Sequence, residues 1–171
     1  ALKPTLVDGP EAVYAAVNAG ADPIQRGKEI LFVTRNKGAF VRSCPGTKAY
    51  TCCGYKILHT GTYCTMDCAY CILQAYFNQS AVRVFVNLES KLEQIGQLID
   101  KKPEKMFRIG TGEFTDSLAL EPITGWTQIL LPFFANRKNA VLELKTKTDH
   151  IKGLVASSWR EGIIVSWSLN S

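Results

Sequence analysis

Short apolar runs alternate with longer amphipathic ones over most of this chain, and that rhythm predicts its elements. Asp8-Gly-Pro10-Glu11 opens a helix with Pro in the first turn, and Gly20 closes it. Ile30 to Thr34 and Ala39 to Arg42 are β-rich and flank Asn36-Lys37-Gly38, a turn sequence that predicts a hairpin. Past Pro45-Gly46 the pattern becomes strand–helix alternation. Tyr55 to His59, Lys105 to Ile109, Val141 to Lys145 and Ile163 to Ser168 read as four strands, and Val82 to Val86 as a further short extended segment.

Between them fall helical stretches. Ile72 to Phe77 is short. Leu88 to Lys101 places Leu92, Ile95, Leu98 and Ile99 on one face, with Asn87 as its cap. Trp126 to Asn136 is strained or ended near Pro132. His150 to Ser157 is the last helix. Short apolar strands joined by helices predict an α/β fold with a parallel sheet. Ligands in such sheets bind beyond the C-terminal strand ends. Each predicted end carries polar or special residues: a cysteine loop, Gly110-Thr-Gly112-Glu113, Lys145-Thr-Lys147-Thr148, and Ser168-Leu-Asn170.

Composition bounds the class. The hydrophobic share of 46% and charged share of 20% over 171 residues are ordinary for a globular domain with a real core. No apolar run approaches the roughly 18 residues that cross a bilayer, and the apolar part of the start is too short for a signal peptide. With clustered cysteines, this favours a reducing cytoplasm. Twenty Lys and Arg against fifteen Asp and Glu give +5. Arg26, Lys28, Arg35, Lys37, Arg42, Lys48 and Lys56 face only Glu29 in the segment 26–56, which suits a phosphate backbone or a solvated surface.

The chemistry concentrates in Cys64, Cys68 and Cys71, spaced C-x-x-x-C-x-x-C, with no later cysteine in the chain. Three thiolates on one loop can hold three irons of a four-iron cluster and leave the fourth open; ordinary electron carriers use four cysteines. A zinc knuckle with His59 as an upstream ligand, or structural or disulfide cysteines, are the other readings of the spacing alone.

Taken with three further segments, the triplet resembles the radical S-adenosylmethionine (SAM) enzymes, and within them the spore photoproduct lyase group. These segments are Gly110 to Gly125, with its Ile-Thr-Gly ending, Leu142-Glu-Leu-Lys-Thr-Lys147, and Val165-Ser-Trp-Ser168-Leu-Asn170; an aromatic, Tyr70, precedes the last cysteine, and Leu73-Gln74 follows it. The resemblance covers roughly Cys44 to Ser171. It implies a partial (β/α) TIM-type barrel with about four of six βα units, spanning 51–171 behind a small α+β segment at 1–50.

By the same resemblance, Cys64, Cys68 and Cys71 hold a [4Fe-4S] cluster, and Tyr70, Gly112, Glu113, Thr115, Lys147 and Ser168 contact SAM. Reductive cleavage of SAM then gives a 5′-deoxyadenosyl radical that abstracts hydrogen from substrate, with a thymine lesion in DNA as the group's substrate. A flavodoxin or ferredoxin would supply the electron, and the rest of the barrel, or a partner, would complete the fold. Two departures stand out. The group's hydrogen-donor cysteine at the end of the second strand is absent; Glu113 or a neighbour stands in its place. Upstream lie Cys44, Cys52 and Cys53, of which Cys52 and Cys53 are candidate replacement donors. A radical SAM enzyme on another substrate, a zinc-stabilised nucleic-acid-binding module and a non-catalytic cluster-bearing fragment are the competing functions.

Overall fold

A computed structural model describes residues 3–46 and 48–169. Two helices open the chain, α1 (Pro10–Asn18) and α2 (Pro23–Lys28). Pro sits in the first turn of each, where its missing N–H costs nothing. Asp22 caps α2 through bonds from the Ile24 and Gln25 N–H groups. Val13 and Val17 of α1 pack with Ala81 in a small satellite core.

The strands form two sheets. One is a three-stranded sheet of β1 (Leu31–Thr34), β5 (Val82–Phe85) and β4 (Gly61–Thr62). The other has five strands in the order β2 (Val41–Ser43), β3 (Lys56–Leu58), β6 (Phe107–Gly110), β7 (Ala140–Thr146), β8 (Ile163–Trp167). Strands β3, β6, β7 and β8 are mutually parallel, and β2 joins antiparallel. The four predicted strands are therefore neighbours in chain order, with their C-terminal ends on one edge. The architecture is α/β with mixed sheets.

Alternation along the parallel strands separates two faces. Phe107, Ile109, Leu142 and Leu144 turn to the main core, where Leu130, Leu131 and Phe134 of α6 (Thr127–Ala135) and Ile95 and Ile99 of α4 (Leu92–Asp100) meet them. Arg108, Glu143, Lys145 and Ser166 form a polar row on the other face. A cavity replacing a side chain as enclosed as Phe134 would cost about 3–5 kcal/mol.

Four expectations fail. The hairpin around Asn36-Lys37-Gly38 does not form, because its arms belong to different sheets: β1 pairs parallel with β5, and β2 with β3. Asn36 instead exchanges bonds with Asn87, whose Oδ1 accepts from the Asn36 N–H (2.8 Å) and whose Nδ2 donates to the Asn36 carbonyl (3.1 Å). That engages the side chain expected to cap the next helix, so Asn87 is no cap; a 3₁₀ turn at Glu89–Lys91 precedes α4. Leu98 leaves the buried face of α4 and is exposed.

At Pro132 the chain neither breaks nor stops: α6 runs through it, since the carbonyl it leaves unbonded belongs to exposed Gln128 and buried Leu131 and Phe134 clamp the turn. Three short helices complete the chain, α3 (Leu73–Tyr76), α5 (Glu121–Thr124) and α7 (Lys152–Ala156).

Candidate functional site

The cysteine loop does not leave β3 directly. The chain first forms β4, then turns at buried Tyr63, whose φ of 68° is left-handed. Cys64, Cys68 and Cys71 are free thiols and half-buried. Asp67 anchors the loop to α2 through Lys28 and through Gln25 Nε2 at 3.2 Å. Gln74 Nε2 donates to the Cys68 carbonyl at 3.4 Å. Aromatic rings bind the far end: Phe114 lies 4.7 Å from His59, 5.8 Å from Tyr76 and 6.1 Å from Phe77, centroid to centroid. These contacts join α3 to the Gly112–Glu113 loop.

That loop is shaped by Lys145. A Cβ at Gly112 would stand 2.7 Å from the Lys145 Cβ, so the close approach needs glycine. Lys145 Nζ donates to Glu113 Oε1 at 2.7 Å and lies 4.7 Å from the Tyr55 ring centre. Thr115 is buried. Lys147 Nζ donates to the Ser168 carbonyl at 2.8 Å and stands 5.4 Å from the Tyr70 ring centre. The Tyr70 hydroxyl is the main influence raising the Lys147 pKa, with negative charge at Cys68 and Asp116 adding to it. The cysteine loop thus meets the ends of β7 and β8 at Tyr70, Lys147 and Ser168, and those of β6 and β7 meet at Glu113 and Lys145. Asn170 lies outside the described residues.

Burial pushes the Cys64 thiol up, while N–H groups of Met66 (3.4 Å to Sγ) and Asp116 directed at the sulfur pull it down. Such N–H groups on a sulfur also suit a metal-bound thiolate. Among the described residues, no three His, Cys, Asp or Glu side chains converge closely enough to hold one metal ion. Three free thiols on one loop are the donor set of a four-iron cube with one iron left open, which takes each thiolate at a separate iron. His59 packs between rings: it stacks on Phe85 at 5.9 Å and meets Phe114 edge-on.

Cys52 and Cys53 are exposed, on the stretch that enters β3, whereas the other candidates follow strand ends. Cys53 is within charge range of Arg108 on the polar face. Cys44 N–H bonds the Tyr55 carbonyl at 3.0 Å. In the basic segment, Arg26 pairs with Glu29 and Lys28 with Asp67, so part of the charge is used internally.

Residues that the sequence reading passed over complete the picture. Asp116 receives four hydrogen bonds at the junction of β6 and β7. Glu143, with a side chain 3% exposed, takes a bidentate pair from Arg108 and a bond from Ser166 at 3.0 Å. The signal for Glu143 was the Leu-Glu-Leu-Lys alternation of β7, which marks a strand with one charged face.

A parallel α/β sheet with a three-thiol loop folded against its C-terminal edge defines the class of protein. The chain belongs to the spore photoproduct lyase family, whose model matches residues 35–171. A search of curated proteins returns no match. Among solved structures, the chain is similar to a spore photoproduct lyase variant with bound AdoMet and dinucleoside spore photoproduct, at 21% identity and TM-score 0.75. It is also similar to a spore photoproduct lyase complexed with dinucleoside spore photoproduct, at 19% identity and TM-score 0.74. Each alignment covers 87% of this chain and 42% of the other. At such identity the likeness establishes the fold, and the chain spans less than half the length of these structures. Among the described residues no helix is long and apolar enough to cross a membrane.

Proposed function

We propose that this chain carries the cluster- and SAM-binding part of a radical SAM enzyme of the spore photoproduct lyase type. Residues 51–171 are read as the front of a (β/α) barrel, behind the segment 1–50. The observation that carries the reading is the meeting of Tyr70, Lys147 and Ser168 beside the cysteine loop. Cys64, Cys68 and Cys71 would hold a [4Fe-4S] cluster, which with SAM bound would supply one-electron reductive cleavage of SAM to methionine and a 5′-deoxyadenosyl radical.

The chain's own residues bind and orient. Lys147 offers a compact cation to the SAM carboxylate or ribose. Glu113 accepts from the methionine ammonium, and Gly112 keeps the backbone close. Thr115, Ser168 and Tyr70 line the remainder. The substrate is a thymine lesion in DNA, held in part by the cations of 26–56 outside the Arg26–Glu29 and Lys28–Asp67 pairs; a flavodoxin or ferredoxin brings the electron. The free edge of β8 and the adjoining apolar groove of about 350 Å³, lined by Ile151, Leu154, Trp159, Ile163 and Trp167, suit the next βα unit of a barrel.

Anaerobic iron and sulfide analysis, with electron paramagnetic resonance of the reduced protein, tests the reading. About four irons per chain and a spectrum altered by SAM are expected. Zinc in place of iron, or a spectrum indifferent to SAM, overturns it in favour of a zinc-stabilised nucleic-acid-binding module.

A further inference from the structure

We infer that Asp116 is the positioning residue that sets Lys147 against the cysteine loop; the inference rests on the reading above. The β6–β7 ladder ends at Gly110 opposite Glu143, yet β7 continues to Thr146. Past that point its inner edge has no strand beside it. The loop after β6 takes over the pairing. Ser117 N–H donates to the Lys145 carbonyl (3.0 Å), and Lys145 N–H donates to Ser117 Oγ (3.0 Å), which Thr111 Oγ1 steadies at 2.7 Å. One step further, Lys147 N–H donates to Asp116 Oδ2 at 2.7 Å. Asp116 thus replaces a strand carbonyl at the residue whose side chain is the candidate SAM cation.

A simple turn cap would not need this bond. Asp116 Oδ1 alone accepts from the Leu118 and Ala119 N–H groups, both at 2.9 Å, and from Thr146 Oγ1 at 2.8 Å. The second oxygen is committed to Lys147. The backbone N–H of the same residue faces the Cys64 sulfur. One residue therefore touches the cysteine loop, the loop after β6 and the end of β7, and fixes their relative placement.

Asp116→Asn separates the two oxygens. The amide oxygen can keep the Oδ1 bonds, while its NH₂ then opposes the Lys147 N–H. In the iron-loaded chain, SAM affinity is expected to fall about tenfold, the weight of one charge-assisted bond, with iron content unchanged. In the iron-free chain, amide hydrogen exchange at Lys147 is expected to speed up. Asp22→Asn, at the α2 cap, serves as a control that leaves both unchanged. Wild-type affinity and wild-type exchange in Asp116→Asn overturn the inference. If the wild type itself binds no SAM, the functional reading fails, and exchange alone decides the positioning role. Should Asp116→Asn not fold, Thr146→Val withdraws one donor from the same carboxylate, with an expected loss of about threefold; no loss of affinity and no faster exchange at Lys147 overturn the inference there too.

Discussion

Lys145 holds Glu113: its ammonium stands 2.7 Å from the Glu113 carboxylate, joining the end of β7 to the loop after β6. The pair is about one-third exposed on both sides, so it contributes little to stability, roughly 0–1 kcal/mol. Its effect is to fix the direction of the carboxylate. Glu113→Gln should therefore leave thermal unfolding nearly unchanged and weaken SAM binding by about tenfold, the weight of one charged hydrogen bond. Equilibrium dialysis with iron-loaded protein reads the difference. Unchanged affinity would reduce Glu113 to a partner of Lys145.

The six cysteines divide by position, and iron content should divide with them. Cys64→Ala, Cys68→Ala and Cys71→Ala each remove a ligand from one loop, whereas Cys44, Cys52 and Cys53 lie on the approach to β3. The first three variants should lose most of their iron after anaerobic reconstitution. Variants of the other three should load as the wild type does. Equal loss from both groups would break the ligand assignment.

The parallel strands were legible because each is a short apolar run between helical stretches, and periodicity reports that directly. Register and partner choice are not local quantities. Nothing in Asn36-Lys37-Gly38 discloses that β1 will pair with β5 fifty residues later, or that Asn87 will spend its side chain on Asn36 rather than on a helix. Asp116 was readable as a turn residue, but its bond to Lys147 depends on the β6–β7 ladder stopping at Glu143, three residues before β7 ends. Tyr70, Lys147 and Ser168 were nameable through the resemblance; their contact is a product of the fold.

Arg108 and Glu143 form a pair of unequal partners on the polar face, 51% and 3% exposed. Burial works against the Glu143 charge, and the bonds from Arg108 and Ser166 outweigh it, holding the carboxyl below its usual range. Arg108→Ala strands that carboxylate with the Ser166 hydroxyl and the nearby charge of Lys145. The variant should be less stable, by less than the loss from breaking a fully buried pair because Arg108 is half in water. Adding Glu143→Gln removes the stranded charge and should recover part of the loss. Urea unfolding of the single and double variants measures both; an Arg108→Ala chain as stable as the wild type would show that the pair contributes nothing net.

His59 makes stability depend on acidity in a predictable window. Burial lowers its pKa to about 4, and the positive charges of Arg42 and Arg83 add to the effect. Phe85 and Phe114 flank the ring. The unfolded chain has an ordinary histidine near 6.5, so between about 6.5 and 4 it binds more protons than the folded one. His59 thus favours the fold fully above about pH 6.5, and that advantage drains away as pH falls to about 4. Allowing for partial solvent exposure, the loss is on the order of 1–2 kcal/mol. His59→Phe keeps a ring against Phe85 and Phe114 and removes the titration. Unfolding midpoints taken from pH 7.5 to 4 should fall more steeply for the wild type than for the variant, with the gap opening below about 6.5. Parallel curves would mean that the folded protein protonates His59 as readily as the unfolded chain, and that the aromatic cluster tying the cysteine loop to the Glu113 loop admits water.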